Sequence, residues 1–153
     1  MKRSISLILL ICLFMLGGCA SRFNRLGASY WPEDFPSDAV AAVAEHLADV
    51  MVANYPPGYT SFFLAQTENP KDELAPALEA ALRSRGFALV AERDGQVLVI
   101  SYVLDRADDD LWYSRLLVSD GFTMTRTWRW TGDSLLMEAA TKTGRTEKTN
   151  GQS

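Results

Sequence analysis

Histidine is almost missing from this chain: His46 stands alone among 153 residues. The two cysteines, Cys12 and Cys19, both fall near the amino terminus, and none occurs over the rest of the length. A zinc site needs three or four converging ligands, which one histidine and scattered carboxylates do not supply. Positive charge is also scarce. Fifteen Lys and Arg face 19 Asp and Glu, for a net charge of −4. No basic patch or stripe occurs, so direct binding of nucleic acid lacks its electrostatic footprint. No apolar run reaches the roughly 20 residues that a membrane-spanning helix requires. There is no phosphate-cradling glycine loop and no internal repeat.

What the chain does have is an amino-terminal address. Lys2 and Arg3 precede residues 5–16, which are apolar apart from Ser6. That length is too short to cross a bilayer, but it suits the apolar region of a secretory signal. The run ends in Leu16-Gly17-Gly18-Cys19, which resembles the lipobox of bacterial lipoproteins. The resemblance implies that residues 1–18 are a signal peptide removed by a peptidase. It implies that the Cys19 sulfur, as nucleophile, takes a diacylglycerol and makes membrane lipid a partner. Ala20, where lipoproteins retained at the inner membrane commonly carry Asp, implies the outer membrane as destination, with the domain facing the periplasm. Two acyl chains suffice for stable anchoring. With Cys12 removed and Cys19 acylated, no thiol remains for a disulfide or a metal.

Residues 19–153 number 135, the size of one domain. Without Lys2 and Arg3 they carry 13 basic against 19 acidic residues, a net charge of −6. Residues 19–36 read as a lipidated tether, with Gly27, Pro32 and Pro36 opposing regular structure. Phe23, Tyr30, Trp31 and Phe35 are large apolar groups in a segment too short for its own core. They either fold back on the domain or order on a partner.

Residues 37–140 read as a single α+β domain. Ser37 or Asp38 is placed to cap a helix ending near Asn54, with Val40, Val43, Leu47, Val50 and Met51 on one stripe. Tyr55-Pro56-Pro57-Gly58 stops it. Residues 60–66 read as a strand. Asp72 is placed to cap a second helix with Leu74, Leu78 and Leu82 on its buried face, and Gly86 supplies the left-handed stop. Strands follow at 87–92, 97–105, 111–119 and 122–131, joined in part by hairpin signals at Asp94-Gly95 and Asp120-Gly121. In the last, Phe122, Met124, Trp128 and Trp130 share one face, and Arg126 is its odd member. Residues 141–153 contain no apolar side chain and read as a disordered hydrophilic tail. The sum is a two-layer sandwich, with two helices on one face of a mostly antiparallel sheet of about five strands.

Chemistry is sparse. Gly132-Asp133-Ser134-Leu135 spells a hydrolase signature, but the lone His46 lies far upstream on a helix, and a nucleophilic serine needs a base beside it. Asp108-Asp109-Asp110 lacks the glycine and distal glutamate of a calcium loop. No catalytic residue, cofactor or metal site is expected. Bulky groups occur on both faces of the last strands. Helices covering one face would leave an apolar patch on the other, and an edge strand would invite a partner strand. Tyr30, Trp31, Phe35, Trp128 and Trp130 are therefore the candidate partner-binding residues.

The segments ANYPPGYTSFFL, LAPALEAALRSRGF, LVISYVLDR and LWYSRLLVSDGFTMTRTW, in that order behind a lipobox, resemble the conjugal transfer lipoproteins of the TrbH family. The likeness spans residues 37 to about 130. It implies a non-enzymatic outer-membrane lipoprotein of a Trb mating-pair apparatus, a type IV secretion system. Its partners would be other core-complex proteins in a hetero-oligomeric ring. The alternatives are a lipoprotein that pilots another outer-membrane protein, or an envelope hydrolase or ligand binder using Ser134 or His46.

Overall fold

A computed structural model describes residues 28–138 and 140–146. Helix α1 spans Ser37–Asn54. Its buried stripe is Ala39, Val40, Val43, Ala44, Leu47, Ala48 and Met51, the spacing of one helix face. No side chain caps it. Pro36 holds the cap position, its carbonyl accepting from the Ala39 N–H at 3.0 Å, and the Ser37 hydroxyl instead donates to Glu73. Helix α2 spans Leu74–Ser84. Asp72 does cap this one: its Oδ1 accepts the N–H groups of Leu74 and Ala75 at 2.9 and 3.1 Å. Gly86, at φ 88°, ends it in the left-handed region. The Arg85 guanidinium then ties the two helices together through Glu45 and Asp49 of α1 at 2.5 and 2.7 Å.

The strands are β1 Ser61–Leu64, β2 Ala88–Leu89, β3 Leu98–Arg106, β4 Leu111–Val118, β5 Phe122–Trp130, β6 Leu135–Met137 and β7 Lys142–Arg145. They form one sheet in the order β2-β1-β3-β4-β5-β6, with β7 beside β6 on the same edge of β5. The strands β3, β4 and β5 pair antiparallel, whereas β1 pairs parallel with both β2 and β3. The α+β class holds. The sheet, however, has seven strands rather than about five, because β6 and β7 form beyond the last strand expected.

Three local expectations change. Asp94-Gly95 is not a hairpin. Phe87 is buried and packs its ring 5.2 Å from that of Phe62, which lays β2 against β1 and puts β1 between β2 and β3. Asp94 forms a local turn instead, its carboxylate accepting the N–H groups of Gln96 and Val97. The sheet edge is not β5, since β6 and β7 both cover it. The start of the hydrophilic tail is a strand: β7 buries no side chain, but a ladder needs only backbone groups, and residues 122–125 of β5 offer them.

One layer of core joins helices to sheet. Phe62, Ile100, Tyr102, Leu104, Trp112, Leu116, Met124 and Trp128 alternate along their strands toward α1 and α2. On the opposite face Val99, Ser101, Val103 and Leu117 are also buried. That face is therefore not a simple open apolar patch along β3. Val99 stands beside Phe63, and Val103 beside Arg115.

Candidate functional site

The segment before α1 is built into the domain. β1 ends at Leu64, which leaves the edge of β3 open further along. Ser29 and Tyr30 fill it. The Tyr30 N–H donates to the Tyr102 carbonyl at 2.8 Å, and the Leu104 N–H donates to the Tyr30 carbonyl at 3.1 Å. The Ser29 hydroxyl donates to the Ala65 carbonyl and accepts from the Tyr102 N–H. Trp31 and Phe35 are each 5% exposed, with Phe35 edge-on to Trp112 at 5.0 Å. Asp34 pairs with Arg106, whose guanidinium lies 4.6 Å from the Trp112 ring centre. Of the two behaviours open to this segment, folding back describes residues 28–36; Cys19 and Phe23 lie outside the described residues.

Of the five candidate partner-binding residues, Trp31, Phe35 and Trp128 thus belong to the core. The Trp128 indole N–H is satisfied by the Ser114 hydroxyl at 2.9 Å, inside the sheet–helix layer. Burial of Trp128 follows from its place on the inward alternation, which the sequence already showed; Trp31 and Phe35 lie on no strand, and no period marks them. Tyr30 is 39% exposed and Trp130 is half-buried. The sequence signal missed Leu136 and Met137, which are 50% and 59% exposed on β6, opposite Arg129 and Trp128 of β5. Three residues are too few to show a strand period, so that edge stayed unread.

The groups with chemical potential are not assembled for catalysis. The Ser134 hydroxyl bonds Thr131 and Asp133 at the turn before β6. His46 bonds Thr141 instead, and its ring stands edge-on to Trp128 at 5.1 Å. Burial, and then the Arg126 guanidinium, push the His46 imidazole below its ordinary value, while Asp49 opposes them. Among the described residues no group of three or more His, Cys, Asp or Glu could hold a metal ion. A surface cleft of 430 Å³ lies between α2 and the β1–β2 edge; its charged groups, Glu79 and Arg83, pair with each other. A second of 650 Å³ lies between residues 28–33 and 66–70, lined by Tyr30, Glu33, Thr67 and Asn69.

The most connected polar cluster is structural. Asp72 caps α2 with one oxygen; with the other it accepts the hydroxyls of Thr67 and Tyr102. Burial, and then the bond to Asp72, raise the Tyr102 hydroxyl well above its usual range. Asp120 plays the same part at the β4–β5 turn. It accepts the Tyr55 hydroxyl at 3.0 Å and the Phe122 N–H, and pairs with Arg145 at 2.6 Å.

No helix among the described residues is long and apolar enough to cross a membrane. Comparison with curated proteins and with solved structures gave no match. The family model described as conjugal transfer protein TrbH matches residues 25–144, a span that takes in both helices and all but the last residue of the seven-stranded sheet. The chain belongs to the TrbH family of conjugal transfer proteins.

Proposed function

We propose that this protein is a non-enzymatic lipoprotein subunit of a conjugative type IV secretion channel. Acyl chains on Cys19 hold it to the outer membrane, and its domain faces the periplasm. The observation that carries the anchoring is the coincidence of a basic start, a short apolar run and Leu16-Gly17-Gly18-Cys19 in a chain of a conjugal transfer family. A diacylglycerol places many methylenes in the bilayer at about 0.8 kcal/mol each, so no protein span is needed.

Tyr30, Trp130, Leu136 and Met137 are among the accessible apolar groups, and through them the domain meets other proteins of the apparatus. Leu136 and Met137 lie on β6 and Trp130 on its neighbour β5, and an edge strand with exposed apolar side chains is a surface for strand addition or packing. The test is Cys19→Ser, followed by separation of inner- and outer-membrane fractions and by mating. The expected result is loss of the protein from the outer-membrane fraction and loss of transfer. Normal fractionation and normal mating efficiency in this variant would overturn the reading.

A further inference from the structure

His46, Arg126 and Thr141 come from three separate parts of the chain and meet at one point. Arg126 lies on the helix-facing side of β5, where every neighbour in the alternation is apolar. Its Nη1 donates to the Thr141 hydroxyl oxygen at 2.8 Å. Its Nε is buried and has no hydrogen-bond partner. No carboxylate among the described residues pairs with it, and its guanidinium carbon lies 5.8 Å from the Trp128 ring centre. His46 reaches the same hydroxyl from α1, with Nε2 at 3.1 Å. Thr141 leads directly into β7, a strand whose four residues are all exposed. Burial of apolar surface therefore contributes almost nothing to holding β7 on the sheet. Its ladder to β5, the Arg145–Asp120 pair and the Thr146 N–H bond to the Gly121 carbonyl hold the far end. The near end depends on Thr141.

We infer that His46, Arg126 and Thr141 form a proton-operated latch that pins the start of the carboxy-terminal strand to the sheet. A guanidinium only donates, so the Thr141 oxygen accepts from Arg126. The hydroxyl then has its own proton to give, and the neutral imidazole Nε2 accepts it. With His46 uncharged, the Thr141 hydroxyl accepts from Arg126 and donates to His46 at once. Protonation removes that acceptor and aims two cations at one hydroxyl. The charged groups around His46 do not offset this. On its own helix, Glu45 and Asp49 both bond Arg85, which arrives from the end of α2. From β5 comes Arg126, and the chain after Thr141 brings Lys142. Asp49 favours the imidazolium, but less than burial and Arg126 disfavour it.

The sign follows from linkage. Closing the latch lowers the affinity of His46 for a proton. The closed state is therefore favoured in full above the ordinary histidine value of about 6.5, and loses that advantage as pH falls through and below it. The device acts on an interaction surface, because opening frees the near end of β7 and uncovers the edge of β5 at residues 124–125.

Nuclear magnetic resonance on the full chain in detergent micelles tests this directly, with heteronuclear NOEs read at residues 141–143 between pH 7.5 and 5. Rigid values at pH 7.5 that fall to those of a mobile chain at pH 5, with the midpoint of the His46 ring titration, support the latch. His46→Gln, which keeps hydrogen-bonding capacity but cannot titrate, is expected to abolish the pH response. Arg126→Met is expected to move the His46 midpoint upward. Unchanged NOEs across a complete His46 titration overturn the inference. So does an equal loss of order between pH 7.5 and 5 in His46→Gln.

Discussion

At the scale of single residues, the structure rests on a few partly buried polar groups that receive partners from distant parts of the chain. Asp72 is the main one. Its carboxylate takes two backbone N–H groups of α2 and two hydroxyls, including that of Tyr102 from the central strand. Tyr102→Phe leaves the ring packing intact and removes one bond to a carboxylate. The expected cost is about 1–3 kcal/mol, measured as a lower denaturant midpoint at unchanged slope. Tyr55 behaves alike: burial first, and then Asp120, raise its hydroxyl above the usual range. For both tyrosines the folded value lies above the unfolded value of about 10. Their contribution to stability is therefore complete below pH 10 and is lost as pH rises beyond it. Thermal melts between pH 9 and 11.5 check this: stability is expected to fall steeply in wild type and less steeply in Tyr102→Phe. Asp72 was legible as a helix cap from local spacing alone. It could not give the bond to Tyr102, because that contact spans 30 positions and depends on the finished sheet.

At the scale of elements, both helices and the strands β3, β4 and β5 were legible from several residues of one period, and β1 and β2 as short runs between turn signals. The rest fails for identifiable reasons. β6 and β7 are too short or too polar to show a period. At Asp94-Gly95 the local turn chemistry was right, but the pairing was decided by Phe87 packing on Phe62. The segment before α1 has no period at all, yet its aromatic rings complete the core around Trp112. Trp31→Ala tests that role. A buried Trp removed from a packed site costs about 3–5 kcal/mol, as in other large-to-small changes. A drop of that size in unfolding free energy is expected, along with a loss of order in the β3 amides near Tyr30. A change below about 0.5 kcal/mol, the range of an ordinary surface substitution, would mean that the segment is not part of the folded unit.

At the scale of the whole molecule, the domain is a small sheet–helix layer with an acidic surface and no assembled catalytic group among the described residues. Three of the five aromatic candidates went to the core, and Leu136 and Met137 on the β6 edge are among the apolar side chains left exposed. A double substitution, Leu136→Asp with Met137→Asp, tests that edge. Both side chains are exposed by half or more, so the fold is expected to keep its melting temperature. Recovery of the protein in cross-linked complexes with other transfer proteins is expected to fall at least tenfold. Recovery at the wild-type level would remove this edge from consideration. The central claim concerns the opposite end of the chain. Growth of a donor strain in labelled palmitate, followed by isolation of the protein, reads the modification itself. Label on the wild-type chain and none on Cys19→Ser is the predicted outcome; an unlabelled wild-type chain contradicts the account.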